Sequence, residues 1–326
     1  MPRCLRSDNI KNTLKLIGKI ALYALCGILA LVILVIGGLN IAKFAIYGEY
    51  FSIKDNICRN PGLSDGFVCQ GIAAYDQGDV ILVSGYMKDH SASRIYVTTL
   101  NNKSYYVTMT SEGKEFNGHA GGIAVTGGKI YLANGNKVYT FSAEDVINAK
   151  NSDSVEIGKG IVVNNKASFI YTDDQFIYVG EFHDGGAYNI GGHENTTAEG
   201  THYAICSKYA LSDLEHPVAV YSIRNKVQGI CFTPDGKVVM STSYGLTSSV
   251  YYVYNVGEAT DSGLTMDGAP LYYLDKLDRK FTGPAMSEGL DYFDGKVITL
   301  AESASDKYIF GKLFFANKIV GFDLTK

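Results

Sequence analysis

The sequence lacks an excess of positive charge and lacks several familiar enzyme signatures. Lys and Arg number 29 against 33 Asp and Glu, so the formal net charge is −4, which argues against a nucleic-acid partner. There is no Cys-x-x-Cys pair and no His-Glu-x-x-His segment. These absences argue against a thioredoxin-like redox site and against a zincin-type protease. Candidate sites must therefore come from the way the fold distributes polar residues.

Amphipathic helices are also scarce. Beyond the N-terminal region no long helical period separates the apolar segments, and only Ser142 to Ala149 predicts a short helix after a serine cap. Glycine is abundant at 36 residues, and 24 tyrosines outnumber 15 phenylalanines. This composition is typical of many short strands joined by tight turns. It argues against a parallel βαβ architecture and predicts an all-β fold.

The sequence does contain a unit that recurs five times. In its clearest copy, the predicted strands Glu288 to Phe293 and Lys296 to Ala301 flank Asp294-Gly295, the pattern of a β-hairpin with a tight turn. Successive copies begin about 50 to 60 residues apart, a spacing close to that of four-stranded propeller blades. The copies open with Gln70-Gly-Ile, Gly121-Gly-Ile, Ser168-Phe-Ile, Gln228-Gly-Ile and Glu288-Gly-Leu.

A third and usually a fourth strand follow each hairpin. Ser154 to Ile157 is the predicted outer strand of the second blade, and Leu271 to Leu274 that of the fourth. The fifth repeat lacks an outer strand, which Tyr50 to Lys54 is free to supply, and such closure would remove an exposed sheet edge. Residues 50–326 thus resemble the β-propeller superfamily. Five blades are favoured, and six stay open if residues 184–226 hold another pair of strands.

The N-terminal segment differs from the rest. Ile20 to Leu39 is an uncharged apolar run long enough to cross a hydrocarbon core of about 30 Å. Basic residues precede it, which places the N-terminus in the cytoplasm. It is too long for the apolar region of a cleaved signal peptide, and a buried core helix is the other alternative. We predict a cytoplasmic tail over 1–19, a single-pass membrane anchor over 20–42, a tether over 43–49 and an extracellular or lumenal propeller over 50–326.

Four of the six cysteines lie in the predicted propeller, which is compatible with an oxidising compartment. Cys58 and Cys69 flank a short loop and are the first choice for a disulfide that would close the N-terminal strand onto the first repeat. Cys206 and Cys231 lie inside apolar strands, where a free buried thiol is the more common state.

Polar residues recur where the innermost strand of each predicted blade begins and where the second strand returns. Because both positions lie at one mouth of a propeller channel, we expect these side chains to converge there. The candidates for ligand binding at this mouth are Gln70, Ser168, Gln228, Ser287 and Ser303.

Three glutamates are the strongest candidates for a functional site among the polar residues predicted at this mouth. Glu181, Glu288 and Glu302 would repel one another at one mouth unless a cation or a shared proton compensated. A hard cation, calcium before magnesium, would use these carboxylates with help from amide and hydroxyl oxygens. The alternative is that each carboxylate is solvated in the channel or pairs with a lysine. His119 and His183 could act as general bases beside such a metal.

A glycine-rich loop follows Glu181. It runs from Phe182 to Asn195 and carries Asp184 and His193 beside His183, so it can fold over the mouth as a lid or ligand-binding loop. Its glycines precede no predicted helix, which argues against a phosphate cradle.

The Glu288-Gly-Leu opening resembles the Glu-Gly strand start of the gluconolactonase and senescence-marker propellers. That resemblance implies Glu288 as a divalent-metal ligand, although the Asn and Asp ligands of the lactonases have no matching motif here. An anchor followed by a five-bladed ring is also similar to the apyrase-like soluble calcium-activated nucleotidases. Glutaminyl-cyclase-type propellers are a further analogy of fold.

Two functions are the main candidates, ahead of a purely structural role in an envelope assembly. The first is a membrane-tethered module that binds an extracytoplasmic protein, glycan or small molecule at the channel mouth. The second is a calcium-dependent hydrolase or lactonase that uses the glutamates. Whether the protein is an enzyme stays open on the sequence.

Overall fold

The computed structural model describes residues 3–75, 79–314 and 316–326. It contains two compact units, Met1–Gly48 and Glu49–Lys326. The turn expected between the first two strands of the first repeat falls at residues 76–78, outside the described residues.

The first unit contains one long helix, α1 (Arg3–Ile46). Its segment Asn12–Ile46 is long and apolar enough to cross a membrane, judged by length and composition, and a signal sequence near the N-terminus passes the same test. None of its most apolar stretch is buried, whereas the core helix of a soluble protein would be. The helix extends past both ends of the anchor predicted over 20–42.

The second unit is a five-bladed β-propeller. A short helix, α2 (Gly48–Ile53), leads into its first strand, β1 (Lys54–Arg59). Blade 1 contains, from the channel outward, β2 (Phe67–Tyr75), β3 (Val80–Met87), β4 (Arg94–Thr99) and β5 (Ser104–Ser111), with β6 (Lys114–Glu115) paired to β5. Blade 2 contains β7 (Gly122–Thr126), β8 (Lys129–Asn134), β9 (Lys137–Ser142) and β11 (Ile161–Val162).

The other three blades follow the same plan. Blade 3 contains β12 (Phe169–Thr172), β13 (Phe176–Gly180), β16 (Ala204–Ala210) and β17 (Asp213–Ile223). Blade 4 contains β18 (Val227–Phe232), β19 (Lys237–Thr242), β20 (Ser249–Asn255) and β23 (Leu277–Gly283). Blade 5 contains β24 (Ser287–Phe293), β25 (Lys296–Ala301), β26 (Lys318–Phe322) and β1.

The innermost strands form a closed ring, because β2, β7, β12, β18 and β24 each contact the next and β24 contacts β2. Glycine at the second position of the repeat opening allows this close approach. A Cβ atom on Gly71 would lie 2.6 Å from the backbone nitrogen of Ile123, and one on Gly229 would lie 2.7 Å from that of Leu290. Neighbouring blades therefore meet backbone to backbone around the channel.

The predicted closure by strand exchange is confirmed, but a different segment provides it. β1 pairs antiparallel with β26 as the outer strand of blade 5. Tyr50 to Ile53, expected to be strand, lies in α2 instead. Tyr50 and Ile53 are one helical turn apart and both buried, and the ring of Tyr50 contacts those of Tyr251 and Phe322. Helical spacing thus buries two large side chains that a strand would place on opposite faces.

Two predicted outer strands join the preceding blade instead of their own. β10 (Ser154–Glu156) pairs parallel with β5 of blade 1, and β22 (Ala269–Tyr273) pairs parallel with β17 of blade 3, where β21 (Thr260–Met266) extends the sheet. Alternation of apolar and polar residues within a short segment predicts a strand but does not specify which sheet edge that strand joins.

Two further expectations concern loops. Ser142 caps α3 (Ala143–Ile147), its Oγ accepting a hydrogen bond from the backbone N–H of Asp145 over 3.3 Å, as predicted. The segment suspected of holding a sixth blade contains one small hairpin, β14 (Asn195–Thr197) and β15 (Gly200–His202), which forms its own two-stranded sheet.

Candidate functional site at the channel mouth

Two of the three predicted glutamates lie together. Glu288, near the start of β24, interacts electrostatically with Glu302, which follows β25. Gln70 of β2 donates a hydrogen bond from Nε2 to Oε2 of Glu302 over 2.8 Å. The first strand of blade 1 and the second strand of blade 5 therefore bring polar side chains to the same end of the channel.

Both carboxyls have a raised pKa. Burial, and then the charge of Glu302, raises the pKa of Glu288 well above its ordinary value. Burial raises the pKa of Glu302 to about 7, against the opposing effects of Tyr308, Lys307 and Gln70. Both shifts favour the protonated form, because two adjacent carboxyls in a buried site repel each other when both are ionised.

Glu288 has unused hydrogen-bonding capacity. It is 2 % exposed, and its carboxyl makes no hydrogen bond to any other residue in the described part of the chain. Its backbone carbonyl, in contrast, accepts a hydrogen bond from Oγ of Ser241 over 2.7 Å. Buried carboxyls normally have partners, so the Glu288 carboxyl is available to a group that enters the channel.

Aromatic rings line the same mouth. The rings of Tyr86 and His119 stack with their centroids 4.5 Å apart, and Nζ of Lys307 lies 4.5 Å from the Tyr86 centroid. Tyr308 donates a hydrogen bond to Oε1 of Glu302 over 3.0 Å. Lys307 and Tyr308 come from the loop after β25, where the repeat pattern is interrupted, so sequence reasoning missed them.

His119 is exposed at this mouth, where its ring stacks on Tyr86. The surrounding protein, and then the charge of Lys307, lowers the pKa of His119 to about 4. The imidazole is therefore neutral at pH 7.

The third glutamate has partners of its own. Glu181 is fully buried, and its Oε1 accepts a hydrogen bond from the backbone N–H of Lys166 over 3.0 Å. Its Oε2 accepts from the backbone N–H of Ile205 over 3.1 Å and lies 2.8 Å from Nδ1 of His193. The hydrogen bond to Glu181 raises the pKa of His193.

The predicted three-glutamate calcium site is therefore not formed. Within residues 3–75, 79–314 and 316–326, no group of three or more His, Cys, Asp or Glu side chains is placed to hold a metal ion. The physical reason is that both oxygens of Glu181 are already used to hold two backbone segments and His193.

His183 holds the glycine-rich loop in place. It is buried, its Nδ1 accepts a hydrogen bond from the backbone N–H of Ile190 over 3.0 Å, and its ring stacks on Tyr203 at 5.0 Å. Its backbone carbonyl accepts from the N–H of Lys226 over 2.9 Å. These contacts give His183 a structural role.

Asp184 shapes the tip of that loop. Its Oδ1 accepts hydrogen bonds from the backbone N–H groups of Gly186 and Tyr188, at 2.8 and 2.9 Å, and the N–H of Gly186 contributes most to lowering the pKa of Asp184. Tyr188 is 57 % exposed and packs edge-on against Phe182. We call the rings at this end of the channel the aromatic rim, which consists of Tyr86, His119, Phe182, Tyr188, Tyr244 and Tyr308.

The remaining predicted residues divide into two groups. Ser287 accepts a hydrogen bond from the hydroxyl of Tyr251 over 2.7 Å, and Ser168 accepts one from a backbone N–H of the glycine-rich loop over 3.2 Å, so both are structural. Ser303 is fully buried, and its Oγ has no partner among the described residues. Gln228 is half-buried. Ser303 and Gln228 are the predicted ligand-binding residues with polar groups to spare.

The expected disulfide is absent, because Cys58 and Cys69 are both free thiols. Sγ of Cys69 instead accepts a hydrogen bond from the side chain of Asn60 over 3.2 Å and lies 3.5 Å from the carbonyl oxygen of Ala301. Burial raises the pKa of Cys58 to about 11 and also raises that of Cys69, so neither thiol is reactive as a thiolate at neutral pH.

The loop between these cysteines spells Gly62-Leu-Ser-Asp-Gly66, the Gly-x-Ser-x-Gly pattern of hydrolase nucleophiles. A nucleophile elbow follows a strand and opens a helix. Ser64 is exposed in a turn that leads into β2, and its Oγ contacts Asp65 at 3.3 Å. The pattern is therefore a turn in this fold.

Neither the protein-family models nor the curated proteins contain a match to this chain. Solved structures do resemble it. Glutaminyl cyclase from Myxococcus xanthus aligns at 8 % identity and a TM-score of 0.45 over 82 % of this chain and 94 % of its own. The PQQ-bound aldose sugar dehydrogenase from Streptomyces coelicolor aligns at 14 % identity and a TM-score of 0.42 over 76 % and 77 %.

A gluconolactonase from Xanthomonas campestris aligns at 10 % identity and a TM-score of 0.38, over 72 % of this chain and 70 % of its own. Identities this low relate folds and not activities. The assignment rests on the ring of five sheets itself: the chain is a five-bladed β-propeller with one long apolar helix near its N-terminus.

Proposed function

We propose that the protein is a membrane-tethered binding module whose propeller faces the cell exterior or a lumen and binds a glycan at the channel mouth. The orientation is supported by the basic residues that precede the apolar run, since positive charge favours the cytoplasmic side. The helix Asn12–Ile46 supplies the tether.

One observation carries the choice of site: the Glu288 carboxyl is buried beside Glu302, has no hydrogen-bond partner among the described residues, and has a pKa raised well above its ordinary value, which favours the protonated form. A protonated carboxyl both donates and accepts hydrogen bonds, as a sugar hydroxyl requires. The aromatic rim offers ring faces such as Tyr188 against which the apolar face of a sugar can pack. A few convergent polar groups beside aromatic side chains are typical of small-ligand sites.

The test is a glycan microarray probed with the full chain in a detergent that has no sugar headgroup. We expect a restricted set of glycans to bind and expect Tyr188→Ala and Glu288→Gln each to weaken binding at least tenfold. Leu264→Ala, which trims an equally exposed side chain at the outer edge of blade 3, is the matched control and should bind as wild type does. Binding that neither mouth variant reduces, or no binding at all, would overturn the proposal.

A divalent-metal-dependent hydrolase or lactonase is the second candidate. It is favoured by the paired carboxyls of Glu288 and Glu302, since a cation could replace the shared proton and use the amide oxygen of Gln70 as a further ligand. Calcium at a hundred times its dissociation constant would then stabilise the fold by about 2.7 kcal/mol. A rise in Tm on adding calcium that chelator and Glu288→Gln both abolish, with turnover of a lactone, would replace the glycan proposal by this one.

A further inference from the structure

A second cavity opens between blades 3 and 4, beside the mouth. Its volume is about 280 Å³, and all twelve residues that line it are polar or charged. Glu288 and Glu302 take no part in it, and Tyr244 alone of the aromatic rim borders it. Because Glu199, Arg224 and Lys226 are among these residues, a ligand that lies against them must satisfy hydrogen bonds and charge.

Arg224 is held rigidly in one wall. Its Nε donates to the hydroxyl of Tyr254 and its Nη2 to Oε2 of Glu199, each over 2.5 Å, and its guanidinium lies 4.2 Å from the ring centroid of Tyr252. Five N–H groups are available on a guanidinium. Arg224 uses two of these N–H groups for Tyr254 and Glu199. The other three can bind an anion, and the conformation of the side chain is already fixed.

Lys226 adds a second positive charge to the lining. Its Nζ lies 5.2 Å from the ring centroid of Tyr244, and within the described residues it forms no ion pair. Glu199 neutralises only one of the two cations that face the cavity, so the lining carries a net charge of about +1 when His202 is neutral. A monoanion would complete the charge balance.

His202 lines the cavity as a neutral residue. It is 4 % exposed, and its Nε2 is fully buried without a hydrogen-bond partner among the described residues. Nδ1 lies 3.4 Å from Oγ of Ser222, and either atom can be the donor, according to the tautomer of the ring. Burial and the charge of Arg224 lower the pKa of His202 to about 4, so the ring is neutral at pH 7 and adds no charge to the lining.

We propose that this cavity binds a small hydroxylated monocarboxylate of the sugar-acid class. The carboxylate lies between Arg224 and Lys226, and one ligand hydroxyl lies against the ring of His202. The hydroxyl-bearing side chains of the lining, such as Ser243, face the remaining hydroxyls of the ligand. This site is distinct from the carboxyl pair at the mouth and goes beyond the proposed glycan binding.

The probe is D-glucuronate, titrated calorimetrically into the full chain in a detergent without a sugar headgroup. Glucose, which lacks the carboxylate, and acetate, which lacks the hydroxyls, are the comparison ligands. We expect glucuronate to bind at least tenfold more tightly than either. Lys226→Met should weaken glucuronate binding at least tenfold, and Arg224→Lys should also weaken it because the fixed fork of donors is lost.

Two controls separate this site from other effects. Lys280→Met removes an exposed lysine on the same blade and should leave glucuronate binding unchanged. Glu288→Gln alters the mouth alone and should also leave it unchanged, so the two proposals can fail independently. Glucuronate binding no tighter than that of glucose, or unaltered in Lys226→Met, would overturn the inference.

Discussion

The carboxyl pair at the channel mouth should make the fold less stable as the pH rises. In Glu302 the pKa is raised from 4.5 to about 7. A carboxyl with a higher pKa in the folded state than in the unfolded state favours folding while both states are protonated. Its contribution is lost as the pH rises from about 4.5 through about 7. Glu288, with its pKa raised further, acts in the same direction.

The magnitude follows from that shift. A change from 4.5 to about 7 corresponds to roughly 3 kcal/mol at about 1.4 kcal/mol per unit. Because the Glu302 side chain still has some contact with solvent, we expect about half of this, ~1.5 kcal/mol. At about 2 to 4 °C per kcal/mol for a large domain, the pair should lower Tm by about 3 to 6 °C between pH 5 and pH 8.

The assay compares the wild-type chain with the double variant Glu288→Gln plus Glu302→Gln, a neutral near-isostere of the protonated pair. The sequence has no tryptophan but 24 tyrosines, so unfolding can be followed by near-ultraviolet circular dichroism of the tyrosines. His193, whose pKa is raised, also destabilises the fold as pH rises. Its effect is common to both proteins and cancels in the difference.

The Tm of the double variant should therefore fall less than that of the wild type over this range. Glu115→Gln, at an exposed glutamate, should follow the wild-type curve. Parallel curves for the wild type and the double variant would refute the argument that these two carboxyls are desolvated and coupled.

Three further predictions concern the fold. Gly71→Ala should lower stability by several kcal/mol or prevent folding, because its Cβ would meet backbone atoms of blade 2. Gly257 has open space around it, so the control Gly257→Ala should change Tm by no more than about 1 °C. Equal Tm values for the two variants would contradict the backbone contact at Gly71. The thiols of Cys58 and Cys69 should react with a maleimide in denatured, non-reduced protein, and protection there would reveal a disulfide. Glu181→Ala should cost about 3 kcal/mol, measured by chemical denaturation, because it leaves two buried backbone N–H groups without an acceptor; a cost below about 1 kcal/mol would show that water replaces the carboxylate.

The sequence repeat predicted the five-bladed ring well because each hairpin is determined by its own residues. Alternation and the Asp294-Gly295 turn, where both residues adopt positive φ, specify each hairpin without reference to the rest of the chain. Outer strands were harder to place. Ser154 to Glu156 buries a single side chain, Val155, so its pattern carries almost no information about which blade it joins.

The sequence predicted which end of the channel carries the candidate site, but only some of the residues that form it. The strand-start pattern identified Gln70 and Glu288, because repeated polar residues interrupt an otherwise apolar register. The same pattern could not show that Glu181 lies apart from Glu288 and Glu302, because the hydrogen-bond partners of Glu181 come from another strand and from a loop. Lys307 and Tyr308 lie in a segment without periodicity, where only the folded chain shows which side chains reach the mouth.

The pairing of β1 with β26 has a consequence for biosynthesis. A ribosome releases β1 early, but its partner strand, β26, belongs to the fifth blade and is made much later. Until then β1 is a free edge that could pair with an edge strand of another nascent chain. Lys54, Asp55 and Arg59 charge that edge and discourage such pairing. The ring is thus completed in a single late step, and any product truncated before β26 should be recognised by quality control as an open, unfinished sheet.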